Sequence, residues 1–247
     1  MKKAIVFVAF GTAKEEDFKK YLLPFKEDAE KKYGKEFDYY FALTSERILK
    51  RFNNKIKSYE DTLNSLKENK YEEVYIIPLY FSRGLEYSKV EKISNSYKDS
   101  FKTLKYLKPI FEENKDILDD YFKISKNILF ICHGSRNSNE SLDKKFIEYK
   151  ILDSGKKHYV SSTNEKDNID ELIKNIKEDG IDDILIIPIL LTKGYHFTKD
   201  IILDNGESFF SKLKKNNIKA EVLDKSLGED ESFRKLMMKN IDSMIKG

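Results

Sequence analysis

Short, strongly apolar runs recur along the chain, separated by polar-rich segments in which apolar residues return at helical spacing. The run over 128–132 is apolar throughout and breaks at His133-Gly134-Ser135, as a strand covered on both faces of a parallel sheet would break. Similar runs predict strands over 4–10, 37–43, 73–79 and 103–107, and again over 158–162, 183–190 and 220–223. Between them, 15–33 carries Phe18, Leu22, Phe25 and Ala29 on one helical face and stops at Gly34. Thr44-Ser45 starts a short helix reaching 52, and further helices are predicted over 59–69, 88–101 and 112–125. The second half gives helices near 141–152, over 169–178 with its stop at Gly180, over 198–215, and over 231–245. Strands alternating with helix-length segments imply parallel βαβ units with right-handed crossovers.

The order of elements in the first half returns in the second, and the match extends to residues. Val8-Ala9-Phe10-Gly11-Thr12 aligns with Ile131-Cys132-His133-Gly134-Ser135. Ile76-Ile77-Pro78-Leu79 with Arg83-Gly84-Leu85-Glu86 aligns with Ile186-Ile187-Pro188-Ile189 with Lys193-Gly194-Tyr195-His196. The fold class expected is therefore α/β: two tandemly duplicated domains, 1–125 and 126–247, each a mostly parallel sheet flanked by helices. A cleft between the copies is the expected place for a ligand. The copies differ at that edge, since Phe10 answers His133 and Glu86 answers His196, and only the second copy carries both imidazoles.

Composition narrows the class without naming it. Forty-six Lys and Arg against 43 Asp and Glu give a net charge of +3, too balanced to announce a nucleic-acid partner. A hydrophobic fraction of 40% suits a core-forming protein. The single cysteine, Cys132, excludes an internal disulfide framework and a cysteine zinc cluster, and its apolar strand marks it as a buried thiol. The first residues resemble a signal peptide, but the same pattern stands in mid-chain at 127–135, so the start reads as a strand. No apolar run reaches the ~18 residues of a membrane span, and a cytoplasmic, membrane-free protein is expected.

His133 and His196 both fall just beyond the carboxyl ends of strands in the second half, where open α/β sheets place their ligands. A single histidine in such a turn is commonly structural; two at corresponding positions point to one shared site. Imidazole suits borderline metals, and its neutral nitrogen can instead accept a proton. His158 opens a strand at the opposite end and reads as structural. No dinucleotide fingerprint, phosphate loop or nucleophile elbow is present. Tyr80, Phe81 and Tyr87 can stack on a flat ligand.

With these motifs in order, the sequence resembles the class II tetrapyrrole chelatases, in particular the anaerobic sirohydrochlorin cobaltochelatases. The resemblance covers essentially the whole chain. It rests on Val8-Ala9-Phe10-Gly11-Thr12, Ala42-Leu43-Thr44-Ser45, Gly84-Leu85-Glu86-Tyr87, His133-Gly134, Gly194-Tyr195-His196 and Leu227-Gly228-Glu229. It implies His133 as proton acceptor and metal ligand and His196 as second ligand. It also implies Co²⁺ as the metal substrate, a polycarboxylated tetrapyrrole as its partner, and no organic cofactor. Where the family carries a metal-binding glutamate after the sixth strand, this chain has Asn164, with Glu165 one residue on; both are candidate ligands. The family's leucine-histidine at the third strand is Leu79-Tyr80 here. Phe10, Tyr80, Arg83, Glu86, Arg136 and Lys193 are candidate substrate contacts, the cations for their ability to pair with carboxylates. Three readings stay open: insertion of Co²⁺; binding of tetrapyrrole or metal without insertion; and chelation or removal of another metal (Ni²⁺, Fe²⁺) on another ring, haem included. A homo-oligomer is also left open.

Overall fold

A computed structural model describes residues 1–53, 55–134, 141–164 and 168–247. Two four-stranded sheets form, and every pairing in both is parallel. The first contains β1 (Lys3–Ala9), β2 (Asp38–Leu43), β3 (Glu73–Pro78) and β4 (Thr103–Tyr106) in the order β2-β1-β3-β4. The second contains β5 (Asn127–Cys132), β6 (Tyr159–Ser162), β7 (Asp183–Ile189) and β8 (Lys219–Val222) in the order β6-β5-β7-β8. All the strands expected from the apolar runs are present, and the start of the chain is a strand.

The duplication holds at the level of register. Val8 stands opposite Pro78 as Ile131 stands opposite Pro188, and Ala9 opposite Leu43 as Cys132 opposite Ser162. The amide of Thr44 donates to the Ala9 carbonyl, and that of Thr163 to the Cys132 carbonyl, each at 3.0 Å. The two prolines sit in inner strands without breaking them. Ile76 O accepts from Leu107 N at 3.1 Å, so Pro78, two residues on, turns its nitrogen to the same side, past the end of β4. Pro188 is placed alike, because Ile186 O accepts from Leu223 N at 2.9 Å. No donor is lost.

Helices cover the sheets with apolar faces. In the first unit Tyr59, Leu63 and Leu66 of the helix Tyr59–Glu68 and Val90 of the helix Leu85–Ser96 pack on Ala4, Val6, Val8, Val74 and Ile76. In the second, Ile169, Ile173 and Ile176 pack with Leu129, Ile131, Ile184 and Ile186. Cys132 is buried, with Sγ 3.5 Å from the Ser161 carbonyl.

The chain divides into two units, but not where the sequence suggests. Met1–Asn114 joins Asp230–Gly247 in one unit, and Lys115–Glu229 forms the other. The expected split at 125/126 is corrected at both ends. The last helix, Glu231–Lys246, leaves the second repeat and packs on the helix Leu23–Tyr33 of the first. Phe233 meets Phe25 edge to face at 5.9 Å, Arg234 Nε donates to Asp28 at 2.8 Å, and the Tyr33 hydroxyl donates to Asp242 at 2.7 Å. The helix expected over 112–125 is only Ile110–Glu113, ended at Asn114, which turns out of helical geometry. Tyr121 and Phe122 follow in a short 3₁₀ turn, with their rings against Phe130 of β5. The helix expected over 198–215 is two pieces, Phe197–Ile202 and Phe209–Lys215, separated at Asn205-Gly206, where Gly206 takes φ 82°.

Candidate metal centre

In the second sheet the strand order reverses between β5 and β7, so the ends of these two strands frame the crevice of an open α/β sheet. His133 follows β5, and His196 stands on the first helical turn after β7. Their rings meet edge to face with centroids 4.8 Å apart. The topology thus joins two imidazoles that are far apart in sequence.

Each is held by its own local device. Gly134 adopts φ 73°, and a Cβ there would come within 2.5 Å of Ser162 Oγ. Only glycine lets the chain turn off β5 this close to the end of β6. Gly11 repeats the device in the first unit, at φ 104° and with a Cβ position 2.8 Å from Ile48. The carbonyl of His133 accepts from the Asn164 side-chain amide at 2.7 Å and from the Thr163 hydroxyl at 3.0 Å. His133 Nδ1 lies 3.0 Å from the Gly134 carbonyl oxygen; donating there places the ring's lone pair on Nε2.

His196 begins a π-helical segment, Phe197–Ile202, in which the amide of Leu203 reaches back to the Thr198 carbonyl at 2.9 Å. Within it, Asp200 Oδ2 stands 2.6 Å from His196 Nδ1. Asp200 is only 3% exposed, so its carboxylate is a buried orienting group. A carboxylate on Nδ1 fixes the tautomer and the ring orientation, the usual outer support of a metal-binding histidine. Sequence reasoning missed Asp200. The signal was its i,i+4 spacing from His196 on a helix.

The other expected residues fall as follows. Asn164 lies beside His133 and supports its backbone. Glu165 and Arg136, like Ser135, lie outside the described residues. Among the described residues, no group of three or more His, Cys, Asp or Glu gathers as a metal cluster. Lys193 is 15% exposed and is engaged by Asp224 at 2.8 Å. Phe10, Tyr80, Arg83 and Glu86 belong to the first unit. There Phe10 is 48% exposed beside Gly11, and the Thr44 hydroxyl donates to Glu86 at 2.7 Å and lies 2.8 Å from the Tyr80 hydroxyl. Burial pushes the Tyr80 phenol up, so it stays neutral. Arg83 is clamped by Glu91 at 2.9 Å and Glu112 at 2.8 Å, over the ring of Tyr87. His158 is buried at the far end of β6, where Nδ1 accepts from the Ile128 amide at 3.1 Å.

Two adjoining imidazoles beyond the strand ends of one α/β unit form a donor pair of the kind that suits borderline transition metals without a cysteine cage. Residues 3–246 match the family model of the cobalt chelatase (CbiK), and the chain belongs to that family of metal chelatases. It is 22% identical to the sirohydrochlorin cobaltochelatase of Salmonella typhimurium, over 98% of this chain and 96% of the relative. Its fold is similar to that of SirB from Bacillus subtilis with Fe³⁺, with a TM-score of 0.65 at 16% identity, covering 99% of this chain and 96% of that one. It is also similar to the sirohydrochlorin chelatase SirB from Bacillus subtilis subspecies spizizenii in complex with cobalt, with a TM-score of 0.61 at 15% identity over 99% and 95% of the two chains. Among the described residues, no helix is long and apolar enough to cross a membrane.

Proposed function

We propose that this protein is a sirohydrochlorin cobaltochelatase, which inserts Co²⁺ into a polycarboxylated tetrapyrrole on the route to a cobalamin-type ring. The observation that carries the reading is the meeting of His133 and His196, with Asp200 behind the second ring. Family membership and the curated cobaltochelatase relative support the metal and the ring.

Insertion requires two pyrrole N–H protons to leave while the metal exchanges its ligands. In this reading His196 Nε2 holds Co²⁺, with Nδ1–H donated to Asp200. His133 Nε2 first shares the metal and, once released as the metal moves to the ring nitrogens, accepts one pyrrole proton, while the second leaves to solvent water. A neutral imidazole is suited to both tasks near neutral pH. A metal that must be handed on is better held by a few neutral nitrogens than by a closed anionic cage. Asn164, bonded to the His133 carbonyl, serves in this scheme to hold the base in place.

The test mixes the protein anaerobically with sirohydrochlorin and Co²⁺ and follows the tetrapyrrole absorbance against a protein-free control. Insertion is expected to be accelerated, and His133→Ala to lose about 10²–10⁴-fold of the acceleration. Asn164 in place of the family glutamate motivates the second reading, a tetrapyrrole- or metal-binding protein without insertion. A spectral shift on binding with no insertion would favour it over the chelatase.

A further inference from the structure

The loops after β3 and β7 carry a second repeated feature beside the site residues. Leu85-Glu86-Tyr87-Ser88-Lys89-Val90 aligns with Tyr195-His196-Phe197-Thr198-Lys199-Asp200, and the two stretches share one burial pattern. The ring of Tyr87 or Phe197 is buried, while Leu85 and Tyr195, each 63% exposed, stand outward one residue before Glu86 and His196. Lys89 and Lys199 follow one turn later on the same exposed face.

The two copies differ in how the lysine is compensated. Lys89 is neutralised by Glu86 at 2.6 Å. Lys199 donates instead to the phenol oxygen of Tyr195 at 2.6 Å. Arg83 and Lys193, the cations that sequence alone singled out in these loops, are already matched by carboxylates of their own unit. Lys199 thus keeps an exposed charge without a carboxylate at hydrogen-bond distance among the described residues. Its phenol partner continues the line of rings: Tyr195 meets His196 edge to face at 5.6 Å, and His196 meets His133 in the same way at 4.8 Å.

We propose that Tyr195 and Lys199 form a substrate-recognition element beside the metal-site histidines, with the Tyr195 ring packing on the edge of the macrocycle and Lys199 pairing with one of its peripheral carboxylates. This rests on the tetrapyrrole reading above. The pair determines which ring is held over His196 and takes no part in proton or metal transfer.

The probe is uroporphyrin, a stable polycarboxylated tetrapyrrole, titrated into the full-length protein by fluorescence quenching at about 0.01 M and about 1 M salt, where the Debye length is roughly 30 Å and 3 Å. Lys199→Met is expected to raise Kd about fivefold at low salt, with the difference vanishing at high salt, and Lys199→Arg to restore binding. Tyr195→Ser is expected to raise Kd at both salts, since an apolar contact is not screened. Co²⁺ affinity in the absence of porphyrin should be unchanged in Lys199→Met and Lys199→Arg, which separates a lost contact from a disturbed His196. Wild-type binding that neither Lys199→Met nor Tyr195→Ser weakens overturns the proposal and leaves the chelatase reading standing. Failure of the wild type to bind either uroporphyrin or sirohydrochlorin overturns both.

Discussion

His196 and His158 show how one side chain takes opposite roles from its surroundings. His196 is partly exposed beyond a strand end, with a buried carboxylate on Nδ1, which leaves Nε2 for the metal that the proposed function assigns to it. His158 is buried between Phe122 and Phe130 and spends Nδ1 on the Ile128 amide, which makes it part of the core. The dependence on Asp200 of the metal binding proposed for His196 can be tested at this scale. Asp200→Asn keeps the shape but removes the charge behind the imidazole. Co²⁺ affinity, read by direct titration, is expected to fall about 10–100-fold. An unchanged affinity would show that His196 needs no orienting carboxylate.

At the scale of elements, the strands were legible because an apolar run closed by Gly or Pro has few other readings in an alternating chain. The positions of His133 and His196 followed from them, since His133 abuts the end of one strand and His196 closes the loop after another. What was not legible is instructive. An apolar helical stripe states that a face is buried but not against what, and so Glu231–Lys246 was assigned to its neighbour in sequence rather than to Leu23–Tyr33. Asp204-Asn205-Gly206 is a turn signal inside what otherwise reads as one helix, and there Ser208 caps the second piece through the Ser211 amide at 3.0 Å. The Tyr195–Lys199 pair was hidden because its meaning lies in which cations are already neutralised, and a sequence does not list ion pairs. The docking of the last helix is open to measurement. Phe233 is 4% exposed against Phe25, and Phe233→Ala is expected to cost about 3–5 kcal/mol in denaturant unfolding. A loss below about 1 kcal/mol would mean that the helix is held by its polar rim, Arg234–Asp28 and Tyr33–Asp242, instead.

For the molecule as a whole, His158 links stability to pH. Burial, first, and the nearby Lys156 charge hold its pKa below the ordinary histidine range. The unfolded chain therefore takes up a proton before the folded one. Stability from this group is complete above the unfolded value of about 6.5 and is lost as the pH falls below it toward the folded value. The denaturant midpoint is expected to fall as the pH drops from about 7 to about 5. His158→Asn, which retains an acceptor for the Ile128 amide but no titrating ring, should flatten that limb; an equally steep limb in this variant would place the linkage elsewhere. The route of the chain has a consequence of its own, concerning synthesis. The first unit is written in two instalments, with the whole second unit between them. As the polypeptide emerges from the ribosome, its opening sheet must wait, with the side of Phe25 still uncovered, while the histidine-bearing unit is made. Of the two repeats, the earlier is completed only after the later.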